Sequence, residues 1–63
     1  MTQKEAEAYV QRLRDAGWDA SAGVSPLGHE LQLGAADGGK RLVALSWRDA
    51  QILVLGGAVA RLP

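Results

Sequence analysis

No cysteine occurs in these 63 residues, so no disulfide can brace the fold, and the chain suits a reducing compartment. A single histidine and no thiol leave too few ligands for a structural zinc site. Phenylalanine and asparagine are missing too, and the aromatic complement is two tryptophans and one tyrosine. Neither sign of charge is in excess, since seven basic residues cancel seven acidic ones. That gives bulk attraction to nucleic acid or an anionic membrane little to act on. The apolar run over residues 52–59, with two glycines inside it, falls well short of the roughly 20 residues of a membrane span. The opening MTQKEAEAY is charged and has no apolar stretch of the kind a secretory leader needs. A cytoplasmic location, without membrane contact, is the expectation.

What remains is one domain, 1–63, with a thin core. With disulfide and metal excluded, oligomerisation is the remaining way for so small a fold to add stability. Eleven alanines, eight glycines and five arginines against two lysines fit the coding bias of a GC-rich genome, as in a bacterial or phage accessory protein.

Thr2-Gln3-Lys4-Glu5 is a capping box, in which hydroxyl and carboxylate each satisfy a free amide. Ala6, Tyr9, Val10, Leu13 and Ala16 then recur at helical spacing and Gly17 can take positive φ, which together predict a helix over 3–16. Trp18, Ala20, Ala22 and Val24 alternate with small or polar residues and predict a strand. Ser25-Pro26-Leu27-Gly28 suits a turn. His29, Leu31 and Leu33 alternate in a second strand, Asp37-Gly38 supplies hairpin chemistry, and 40–45 forms a third strand. Consecutive strands with short links pair as an antiparallel meander with the second strand central.

The last eighteen residues, SWRDAQILVLGGAVARLP, carry more apolar surface than one face can hide, because Ile52 to Leu55 are contiguous. Ser46 followed by an acid at Asp49 signals a helix start, and Ile52, Leu55, Val59 and Leu62 continue a stripe. A helix over 47–62 is therefore expected. The competing reading is two strands, 51–55 and 58–62, about a Gly-Gly turn. The fold class is α+β: an αβββα chain, a three-stranded antiparallel meander with N- and C-terminal helices on one face.

Catalytic, metal and cofactor signatures do not emerge. His29 and Glu30 are strand neighbours and point to opposite faces, so they form no dyad. Ser21, Ser25 and Ser46 suit a solvent face, a turn and a helix cap. The glycine-bearing stretch 34–39 fits no phosphate-binding pattern, since Arg41 stands where Ser or Thr would follow the lysine. The αβββα order resembles the double-stranded RNA-binding domain, a family with a lysine cluster at the start of its last helix. The matching stretch here, Ser46-Trp47-Arg48-Asp49, offers one arginine beside an acid. A nucleic-acid contact would rest on Lys40, Arg41 and Arg48.

The third strand is apolar on both parities, Val43 and Leu45 on one, Leu42 and Ala44 on the other. Two helices on one side of a sheet leave the other bare, and the expectation is that Leu42 and Ala44 lie there as a protein-binding surface. Trp47, at the corner before the last element, is the candidate anchor, because tryptophan is enriched at binding hot spots. The chain reads as a small non-enzymatic interaction module, an adaptor or inhibitor acting on a protein partner or as a homodimer.

Overall fold

Both helices stop in the same way, and those two stops set the path of the whole chain. A computed structural model describes residues 1–63. Helix α1 spans Gln3–Asp15. The Thr2 hydroxyl accepts the Glu5 amide at 3.1 Å while the Thr2 amide donates to the Glu5 carboxylate at 2.9 Å. At its other end the Gly17 amide donates to the Arg14 carbonyl and the Trp18 amide to the Leu13 carbonyl. This is the Schellman arrangement, with Gly17 at φ 91° in the left-handed position.

The chain then forms β1 (Ala20–Ser25), β2 (Gly28–Leu33) and β3 (Leu42–Ala44), followed by α2 (Trp47–Leu55). The sheet is antiparallel in the order β1-β2-β3. Ala20 faces Leu33 and Ala22 faces Leu31 across one pair, and Leu33 faces Leu42 and Leu31 faces Ala44 across the other. Cross-strand partners share a side, so these six residues form the inner face. Leu31 and Leu33 on the central strand are the largest fully buried side chains, and they cluster with Ala6 and Leu13 of α1, Ala50 of α2 and Val59. Alanines at the contact points let both helices come down close to the same face. The opposite face, bearing Ser21, Gln32, Val43 and Glu30, is covered by no helix.

The tail corrects the expected helix over 47–62. Helix α2 begins as the sequence implied, with the Ser46 hydroxyl accepting the Asp49 amide, but it ends at Leu55. The Gly57 amide donates to the Val54 carbonyl and the Ala58 amide to the Leu53 carbonyl, with Gly57 at φ 75°. The double glycine is therefore a second Schellman stop. It is neither a close-packing site inside a longer helix nor the turn of a hairpin with 51–55 as its first strand.

Beyond Gly57 the chain runs extended across the open end of the β1–β2 hairpin. The Ala60 amide donates to the Gly34 carbonyl at 2.8 Å, and its carbonyl accepts the Asp19 amide at 2.9 Å. Ala36 and Leu62 donate outward to Ala58 and Gly17 carbonyls respectively, giving antiparallel bridges at Ala35–Val59 and Trp18–Arg61. The returning tail thus gives partners to the Gly17 and Gly34 carbonyls and the Asp19 and Ala36 amides.

Candidate functional site: a groove between the helices

Along one side of α2, Trp47, Gln51, Val54 and Leu55 stand at helical spacing and face Arg12, Leu13 and Ala16 of the last turn of α1. With Trp18 they enclose an open groove of about 270 Å³. Six of its eight lining residues are apolar, the others being Arg12 and Gln51. Trp47 is half-buried as the first residue of α2, stacked on Tyr9 with ring centroids 5.0 Å apart. The Arg12 guanidinium lies over the Trp47 ring, 4.6 Å from its centroid. Trp18 is the other indole wall, and the Arg61 guanidinium lies over it at 4.1 Å while donating to the Ala16 carbonyl at 3.3 Å. Each tryptophan of the chain is thus overlaid by an arginine. At the mouth of the groove Leu55 is 87% exposed, and Ile52, on the outer side of the same helix, is also exposed.

The Trp47 expectation therefore lands in the groove, but the two residues assigned with it do not. Ala44 is fully buried and Leu42 is half-buried against the same core. The bare side of β3 carries Val43 instead, about half-exposed like Leu45 just past the strand. The strand is indeed apolar on both sides; the inward side is the one opposite Leu31 and Leu33. The open sheet face as a whole is polar, with Arg41 drawn across it to the Ser21 hydroxyl at 2.9 Å and the Gln32 carbonyl at 3.3 Å.

The basic residues do not assemble into one site. Arg41 occupies the open face, whereas Arg48 is exposed on α2, the helix that covers the other face. Lys40 borders a separate crevice of about 310 Å³ with Asp37, Gly39 and Gly57. His29 is half-exposed at the sheet end beside Gln3, Glu7 and Val24. No group of three or more His, Cys, Asp or Glu side chains is placed to hold a metal ion, and no helix is long and apolar enough to cross a membrane.

Trp18, Arg12, Arg61 and Leu55 were not legible as site residues. They converge only because Gly17 turns Trp18 away from α1 and Gly57 sends Arg61 back to it. Glu30 stands on the sheet face that no helix covers, yet it is 6% exposed. It sits opposite Gly23, whose missing side chain lets Gln32 fold over, and the Gln32 amide donates to it at 3.4 Å. No protein-family model, curated protein or solved structure matches this chain.

Proposed function

We propose that this chain is a small non-enzymatic protein-interaction module whose docking surface is the groove between α1 and α2. One observation carries the reading: Leu55, 87% exposed, forms the lip of a groove walled by both tryptophans of the chain. Large apolar side chains held at the surface beside indole walls are the composition of binding hot spots. The groove's polar groups are Arg12 and Gln51, and neither acts as a nucleophile or general base at neutral pH. That chemistry favours binding over catalysis.

The test places a photo-crosslinking residue at Leu55 and, as a control, at Leu27, which is 83% exposed at the tip of the β1–β2 hairpin. Discrete adducts from position 55 alone are expected. Equal labelling from both positions, or none, would defeat the reading. Light scattering at micromolar concentration identifies the partner class. A particle heavier than 6.6 kDa that Leu55→Glu returns to the monomer puts a second copy in the groove. A mobility shift with DNA or RNA that weakens steeply with salt would favour nucleic acid through Lys40, Arg41 and Arg48 instead.

A further inference from the structure

We infer that the groove is matched to an acidic amphipathic peptide segment, one that sets carboxylates against Arg12 and Arg61 and an apolar side chain between Trp18 and Trp47. The inference rests on the groove being a docking surface and goes further by naming the chemistry of what docks. Charge complementarity is the argument. The groove lining contains no acidic residue. Arg12 lines the groove and lies over Trp47, while Arg61, not itself a lining residue, lies over the Trp18 wall; their contacts are rings and one backbone carbonyl.

A guanidinium has five N–H donors in a planar fork. Laid over a ring it keeps its edge free, and the stacking fixes the side chain in advance, so less freedom is lost when a second partner arrives. Arg61 commits one Nη1 donor to the Ala16 carbonyl, which leaves donors on its outer edge. The ligand that fits such an edge is a planar anion accepting two parallel bonds, and carboxylate is that anion in a peptide.

The size and shape of the groove select the rest. A groove of about 270 Å³ lies below the roughly 300–1,000 Å³ of sites that enclose small molecules. It is open along one side and suits a side chain or two from a longer segment. Phosphate backbones fit less well, since the chain has no net charge to draw them in.

The experiment selects a phage-displayed library of short random peptides on the wild-type protein and, in parallel, on Leu55→Glu. That exposed substitution leaves the core untouched and places a negative charge at the groove mouth. The expected result is enrichment of Asp or Glu within a few positions of aromatic or aliphatic residues, lost on Leu55→Glu. The leading synthetic peptide should perturb the fluorescence of Trp18 and Trp47. Its Kd should rise about tenfold or more when its acids become amides, or in Arg12→Gln with Arg61→Gln. The amide peptide changes nothing in the protein, so it decides the matter even where the double arginine variant folds poorly. Peptides lost on Leu55→Glu but without acidic enrichment would overturn this inference and leave the docking surface standing. No peptide sensitive to Leu55→Glu would overturn both. An oligothymidylate that perturbs the two tryptophans more tightly than any selected peptide would overturn the inference in favour of nucleic acid.

Discussion

Tyr9 stacks on Trp47 with 26° between the ring planes and 5.0 Å between centroids, joining the middle of α1 to the first residue of α2. The pair is the direct aromatic tie between the two helices, and it holds one wall of the groove in place. Aromatic pairs of this geometry contribute about 0.5–1.5 kcal/mol beyond the area they bury. A double-mutant cycle of Tyr9→Leu and Trp47→Leu, read by urea unfolding, should return a coupling of that size. Near-UV circular dichroism should flatten in either single variant. Additive single effects would mean that the rings are merely neighbours.

Gly56 and Gly57 are expected to respond differently to alanine, for a backbone reason. Gly57 sits at φ 75° with open space where a Cβ would be, so the cost of Gly57→Ala is the left-handed conformation itself, about 1–2 kcal/mol. Gly56 has φ −75° and helical ψ, and its added Cβ would meet the Ile52 carbonyl at 3.3 Å. Gly56→Ala should be neutral or stabilising by up to about 0.4–1 kcal/mol through loss of unfolded-state freedom. Thermal melts of the two variants check both signs.

Which parts of this fold the sequence reveals depends on how local the cause is. Helix α1 was readable because its start is a four-residue reciprocal cap and its stop is a single glycine, Gly17. The meander was readable from alternation in 18–24 and 29–33 and from turn chemistry around Pro26 and Asp37. The tail was not, because its path is decided by backbone groups of Gly17, Asp19, Gly34 and Ala36, distant in sequence and vacant only once the hairpin has formed. The groove shares that cause, since Arg61 reaches Trp18 only by this return.

Strand β3 shows a second limit, and a test of it. Alternation correctly grouped Leu42 with Ala44 and set Val43 on the other side, but with both sides apolar it cannot say which side is inside. In the structure Ala44 is fully buried and Val43 is 52% exposed. Ala44→Glu should then cost about 3 kcal/mol or more by burying an unpaired charge, enough to unfold so small a domain. Val43→Glu should stay within about 0.5 kcal/mol of wild type. The reverse ranking, read by urea midpoints, would restore the original assignment of the bare face.

The first turn of α1 gives a pH dependence with a definite sign. The Glu5 carboxyl is held below its ordinary value of 4.5, first by the hydrogen bond from the Thr2 backbone amide and then by the Thr2 side chain. A pKa lowered in the folded state means that the ionised form is the one stabilised. Its contribution is fully present above pH 4.5 and disappears as the pH falls through the folded value. The stability gap between wild type and Glu5→Gln should therefore be constant near neutrality and close on acidification below that point. Thr2→Ala, which removes the hydroxyl cap, should cost about 1 kcal/mol at neutral pH and move the Glu5 titration, followed by NMR, back towards its ordinary value.

Ala60 has both its backbone groups committed across the hairpin end, its amide to Gly34 and its carbonyl to Asp19. Removing the amide tests what that crossing contributes. Ala60→Pro leaves the carbonyl of Gly34, a buried residue, without its donor, and an orphaned buried acceptor costs about 1–3 kcal/mol. The pyrrolidine ring adds a steric and conformational cost on the paired extended segment. Ala60→Val keeps the donor and a β-compatible side chain, so it should stay close to wild type. Hydrogen exchange supplies the local reading: the Ala60 and Asp19 amides should be protected together in the wild type, and Asp19 should lose protection in Ala60→Pro. Because Trp18 adjoins Asp19 and Arg61 adjoins Ala60, the same variant should loosen the groove and shift the tryptophan emission. Protection of Asp19 unchanged by the proline would mean that the tail only lies alongside the hairpin and does not close it.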